Sequence, residues 1–142
     1  ARSLRGLGLP LFDRVLVDAP CTGTGVLRRR PDLRWRRTPE DLPALVALQR
    51  ELLAEAARLT KVGGVLVYST CSLEEEENLQ NAAWFLETHP GFRPSPVAPH
   101  LPPPAQAKLA PDRLDLEGSA VQLWPHLDGT DGMFIFRAVR EA

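Results

Sequence analysis

The chain has 142 residues, enough for one domain with a modest core. A hydrophobic share of 44% beside 25% charged residues excludes a disordered chain, and a net charge of −1 excludes a globally basic nucleic-acid binder. No apolar run nears the ~20 residues that span a bilayer, and without a secretory leader the two cysteines are expected reduced, in a cytoplasmic protein.

Residues 1–11 read as a short basic lead-in that opens Ala1-Arg2-Ser3-Leu4-Arg5-Gly6. Phe12 to Asp18 contains the run Arg14-Val15-Leu16-Val17 and reads as a buried strand of a parallel sheet. Asp18-Ala19-Pro20-Cys21-Thr22-Gly23-Thr24-Gly25 follows at its carboxyl end, where open α/β sheets bind their ligands. Cys21 to Thr38 reads as a loop carrying Arg28, Arg29, Arg30, Arg34, Arg36 and Arg37 around Trp35. Thr38-Pro39-Glu40-Asp41 signals a helix start, with a capping hydroxyl, an early proline and acids near the positive dipole end. Pro43 pushes the regular helix to Asp41 or beyond. Leu45, Leu48, Leu52, Ala56 and Leu59 share one face, and Lys61 with Gly63-Gly64 ends the helix.

Val65-Leu66-Val67-Tyr68-Ser69-Thr70 reads as a second strand, delivering Cys71 50 positions after Cys21. If the strands are neighbours, both thiols face one crevice. Ser72-Leu73-Glu74-Glu75 reads as a capping box opening a second helix, with Leu79, Ala83 and Leu86 buried and an end near His89-Pro90-Gly91. Residues 90–111 hold eight of the 14 prolines and read as a linker or surface excursion rather than a core element. Residues 120–124 and 133–138 read as the strands of a hairpin around a polar turn. The order predicts an α/β fold with a parallel pair and an antiparallel edge.

Cys71 is the sharpest chemical candidate. A strand end before a helix N-terminus favours a thiolate, the form that attacks carbon. The alternative is a small side chain filling space. Cys21 on its own reads as a loop cysteine, and Asp18 as either a turn cap or a ligand for a polar substrate. The arginines and Trp35 read as a phosphate-contacting, base-stacking patch or as a solvated loop whose tryptophan plugs the core. Glu74 to Glu77 reads as an acidic first helical turn. His126, Asp128 and Asp131 suit a polar turn better than a metal site, and no zinc site is expected without a third cysteine or a tight histidine cluster.

Together these residues resemble the RNA cytosine-C5 methyltransferases of the RsmB/Sun family. The matching pieces are Asp18 to Gly25, Arg29-Arg30-Pro31-Asp32-Leu33-Arg34-Trp35, Leu48-Gln49, Gly63-Gly64, Tyr68-Ser69-Thr70-Cys71-Ser72, Glu75-Glu76-Glu77-Asn78 and Asp131-Gly132-Met133-Phe134. The arginine-tryptophan piece looks most like the bacterial 16S rRNA branch. The resemblance implies a Rossmann-like class I methyltransferase sheet, of which residues 1–142 would form the C-terminal portion of a single domain. It implies that Cys71 attacks C6 of a flipped-out cytosine, so that C5 can take a methyl group from S-adenosylmethionine. Cys21 would assist proton removal and release of the adduct, and Asp18 would hold the cytosine edge. Asp18 and Pro20 would also touch the cofactor, and Arg28, Arg29, Arg30 and Arg34 would face rRNA. Thr22 departs from the serine common in the family but keeps the hydroxyl. The family's main cofactor loop lies on earlier strands that this sequence does not contain. The edge of strand 12–18 is therefore expected to be open, or covered by the N-terminal half of the domain or another chain. Two rival readings are a non-catalytic RNA- or partner-binding fragment and a DNA cytosine methyltransferase, whose nucleophile would be the cysteine after proline.

Overall fold

The computed structural model describes residues 7–142, so the reading of residues 1–6 lies outside the described residues. Strand β1 (Phe12–Asp18) lies parallel to β2 (Thr60–Thr70), with Val17 opposite Tyr68 and Asp18 opposite Ser69. The crossover between them carries the short helix α1 (Leu33–Arg36) and the long helix α2 (Asp41–Leu59). Helix α3 (Leu79–Thr88) follows β2. Strand β3 (Phe92–Pro94), helix α4 (Pro103–Lys108) and strand β4 (Leu114–Asp115) lead to β5 (Ala120–Leu123). A single turn of helix, α5 (Pro125–Asp128), joins β5 to β6 (Met133–Arg140). The sheet runs β1-β2-β6-β5-β4, with β3 also paired to β6. The parallel pair and the antiparallel hairpin are those read from the sequence.

Helices α2 and α3 cover one face of this sheet. Val17, Leu66, Tyr68, Phe134, Phe136 and Ala138 meet Leu53, Ala56, Ala57, Ala82 and Phe85 there. Successive strand residues alternate faces, so Arg14 and Leu16 point away from the helices. This corrects the buried reading of β1: within it Val17 alone is buried, and Leu16 is 67% exposed. Among the described residues β1 pairs with β2 alone, so its other edge is open.

Helix α2 begins at Asp41, as Pro43 requires. The Thr38 hydroxyl is not its cap; instead the Asp41 carboxylate accepts the Thr38 amide at 2.8 Å. Its buried face is centred on Gln49, Leu53 and Ala56, about one residue round from the predicted leucine stripe. Gln49 sets that rotation, because its amide bonds both Pro20 O and Glu77. At the helix end the Arg140 guanidinium donates to Ala57 O (3.3 Å) and Thr60 O (2.5 Å). That is the place expected of Lys61, which pairs with Asp13 instead. Strand β2 starts at Thr60, earlier than expected, and absorbs Gly63 at φ 81° where its register with β1 slips.

The second helix also differs. It starts at Leu79, and residues 75–78 just before it form turns. Glu77 and Asn78 are buried and bond inward, which breaks the helical ladder the capping box would have opened. Ser72 Oγ accepts the Glu74 amide at 2.9 Å and so caps a turn only. Ala83 is exposed, and Asn81, Ala82 and Phe85 are the buried residues. The proline-rich segment is more than an excursion. Phe92 and Val97 are buried, β3 joins the sheet, and prolines start the first turn of α4.

Candidate active site

The site forms where β1 and β2 end side by side. Parallel pairing brings both strands' carboxyl ends to one edge, and the Ala19 amide bonds Ser69 O at 2.9 Å just beyond the ladder. Cys21 and Cys71 are thereby brought together, with their sulfurs 3.3 Å apart. Both are free thiols, Cys21 buried and Cys71 half-buried. Asp18 stands exposed beside them and accepts the Ser69 hydroxyl at 3.0 Å. Pro20 is exposed too, and its carbonyl receives the Gln49 amide at 2.9 Å.

Three loops are sewn together around the thiols. The Gly25 amide donates to Cys71 O at 2.9 Å, and the Gly132 amide donates to Gly25 O at 2.8 Å. A Cβ on Gly25 would collide with the carbonyl oxygens of both Gly132 and Cys71, and one on Gly132 would strike Leu73. Thr24 Oγ1 takes the Leu73 amide at 2.8 Å. The Arg37 guanidinium donates to Cys21 O (2.9 Å) and Thr22 O (3.1 Å), fixing the loop from the solvent side.

The thiol pair is polarised. The hydrogen bond from Cys21 is the largest influence on Cys71 and lowers it to about 7; burial and the charges of Asp18 and Glu77 oppose that drop. The same hydrogen bond, then burial, pushes the Cys21 thiol strongly up. The two thiols titrate as a pair, and their shared hydrogen bond holds Cys71 below and Cys21 above the ordinary thiol range. The helix N-terminus expected after Cys71 is not the cause, since α3 begins at Leu79.

The model of the family described as 16S rRNA methyltransferase RsmB/F matches residues 3–138. The chain belongs to the RsmB/F family. A family member from Thermus thermophilus, ribosomal RNA small subunit methyltransferase B, is 55% identical over 116 residues, covering 72% of this chain and 29% of the relative. A putative methyltransferase of Mycobacterium tuberculosis (strain H37Rv) is 53% identical over 129 residues, covering 88% of this chain and 26% of the relative. The chain thus spans about a quarter of the length of the curated relatives it matches. Among solved structures, PH0851 superposes with a TM-score of 0.80 at 39% identity, over 98% of this chain and 29% of that one. NSun6 from Pyrococcus horikoshii, solved with SFG, gives a TM-score of 0.74 at 29% identity, over 94% and 31%. The mixed sheet of this RsmB/F chain is accordingly of the Rossmann-like methyltransferase type.

Other predicted site residues are exposed or bond other partners. Trp35 is 85% exposed, which overturns its reading as a core plug. The Arg34 guanidinium lies 5.9 Å from its ring centre. Arg28, Arg29, Arg30 and Arg34 are all exposed. Arg29 pairs with Asp131, and Arg30 and Arg36 both approach Asp32 at 3.7 Å. His126, Asp128 and Asp131 do not converge: Asp128 holds the Trp124 amide and Arg113, and Asp131 holds Arg29. Among the described residues no group of acids, cysteines and histidines is arranged to hold a metal.

The sequence reading missed Gln49, Arg37 and Glu77 as parts of the site. A glutamine inside an apolar helical stripe is a legible warning of a buried polar task. For Glu77 the signal was masked, because four consecutive glutamates read as a solvated run.

Proposed function

We propose that this chain carries the reacting groups of an S-adenosylmethionine-dependent 16S rRNA (cytosine-C5) methyltransferase. It would form the C-terminal portion of a single methyltransferase domain and act in the cytoplasm. The observation that carries the reading is the pair of unlike thiols 3.3 Å apart beside Asp18. Membership of the RsmB/F family supports rRNA as the substrate.

C5 of cytosine is a weak nucleophile. Attack by the Cys71 thiolate on C6 forms an S–C6 bond and pushes electron density onto C5. S-adenosylmethionine, when bound, supplies an electrophilic methyl group to that carbon. Asp18 and Pro20, exposed at the end of β1, suit one lip of its site, and Asp18 has acceptor capacity left after its one bond from Ser69. The relative solved with SFG, an analogue of that donor, supports the same choice. Removal of the C5 proton then lets the S–C6 bond break and returns Cys71 as thiolate. Cys21, its own proton passed to solvent once Cys71 is tied up in the S–C6 bond, accepts the C5 proton as thiolate and so assists this release. A neighbouring thiol so placed costs no reorganisation at the moment of reaction.

The test is transfer of labelled methyl from S-adenosylmethionine to 16S rRNA. The chain is assayed alone and with the preceding part of a relative's catalytic domain supplied. Labelling of cytosine C5 after complementation is expected. A folded complex that labels no cytosine would overturn the reading and favour a non-catalytic RNA-binding fragment.

A further inference from the structure

Glu77 is the one buried acid that this chemistry leaves unemployed. Its side chain is fully buried, and no basic side chain bonds it among the described residues. Four donors meet its two oxygens instead. Oε1 accepts the Thr22 amide and the Gln49 amide, each at 2.9 Å. Oε2 accepts the Thr22 hydroxyl at 2.6 Å and the Ser72 hydroxyl. Four donors on an acceptor-only group is full satisfaction, which offsets burial of a charge without a counter-ion.

The partners are the informative part. Thr22 follows Cys21 and Ser72 follows Cys71, so a single carboxylate oxygen holds the residue after each thiol. Gln49, bonded to the other oxygen, also holds Pro20, the residue before Cys21. Cys21 is thus bracketed on both sides by groups that meet at Glu77. We infer that Glu77 is a positioning residue, a buried splint that sets the distance and polarity of the Cys21–Cys71 pair. The inference rests on the reading of these two thiols as the reacting groups.

The test uses the full chain and needs neither RNA nor methyl donor. Diamide accepts the two thiol hydrogens as a disulfide closes, so the closure rate measures thiol proximity. Iodoacetamide labelling of Cys71 against pH, read by peptide mass spectrometry, measures its ionisation. The groups that act on Cys71 are Cys21, Asp18 and Glu77. In Glu77→Gln the amide oxygen keeps the two amide donors, and both hydroxyls can turn to accept. Closure should stay near the wild-type rate, and the Cys71 midpoint should fall because a repelling negative charge is gone. In Glu77→Ala the splint is lost. Closure should slow on the order of tenfold, and the midpoint should rise as the Cys21 hydrogen bond weakens. A folded Glu77→Ala that closes at the wild-type rate with an unmoved midpoint overturns the inference. If that variant does not fold, Glu77→Gln decides: an unmoved or raised midpoint overturns it. Failure of both to fold also overturns it, since Glu77 would then hold the fold and not the pair. A failed methylation assay in the wild type would sink the functional reading and leave these thiol readouts standing.

Discussion

Cys21 and Cys71 share a hydrogen bond at 3.3 Å across a separation of 50 residues. That contact makes the pair unequal. Alkylation of Cys71 should rise through pH of about 7 and level off above it. The sign follows from its lowered value: the reactive thiolate is present above the midpoint and is lost as pH falls. Cys21→Ala removes the largest lowering influence, so the midpoint should move up towards the ordinary thiol value of 9.0. With rRNA and methyl donor present, Cys71→Ala should abolish methyl transfer, and Cys21→Ala should leave a covalent RNA adduct visible on a denaturing gel. The opposite pattern would assign the nucleophile to Cys21, as in the DNA-enzyme reading.

Gly25→Ala should damage the site more than any surface change near it. Its new methyl group meets two backbone carbonyls, those of Gly132 and Cys71, and neither can rotate away. The expected cost is about 1–3 kcal/mol in a denaturant melt. Diamide closure of the thiol pair should slow in the same variant.

Tyr68 is fully buried and donates its hydroxyl to Glu77 O at 2.6 Å. Tyr68→Phe keeps the ring and removes the donor. The Asn81 amide still reaches the same carbonyl at 3.3 Å, so the loss should be about 1 kcal/mol by chemical denaturation. A loss several times larger would show that the hydroxyl fixes the whole 75–78 turn.

Trp35 and its arginines should behave as a binding surface and contribute little to the fold. Trp35→Ala should leave the melting temperature unchanged, because the ring is 85% exposed. It should weaken binding to single-stranded rRNA by about 1–3 kcal/mol if bases stack on it. Arg28→Ala and Arg34→Ala should each lower the salt slope of binding by about 1. An unchanged slope would place the RNA elsewhere.

Much of this was legible in the sequence. The run 14–17 and the run 65–70 gave both parallel strands, and the two cysteine motifs at their ends gave the thiol pair. Pro43 gave the start of α2 because a missing amide is a local fact. What stayed hidden depended on distant partners. The Ser72 capping box failed because Glu77, three places beyond Glu74, is pulled inward by Thr22 and Gln49. Lys61 lost the α2 terminus to Arg140, which no local pattern links to it. Leu16 is apolar but exposed, since periodicity reports that a strand is apolar and not which of its faces is covered.

The stitch through Gly25 also governs when the site can exist during folding. Parallel strands need a crossover, and here the thiols cannot meet until α2 has docked and closed a loop of 50 residues. The third loop is held by a contact of still longer span, since Arg29 and Asp131 pair across 102 residues. Local helices can form early, but a contact of that span belongs to the slow, non-local part of assembly. The polarised thiol pair is therefore a product of near-complete folding. A partly folded chain would carry two ordinary, poorly reactive cysteines, so the thiolate that the proposed reaction needs would be withheld until the structure that controls it is in place.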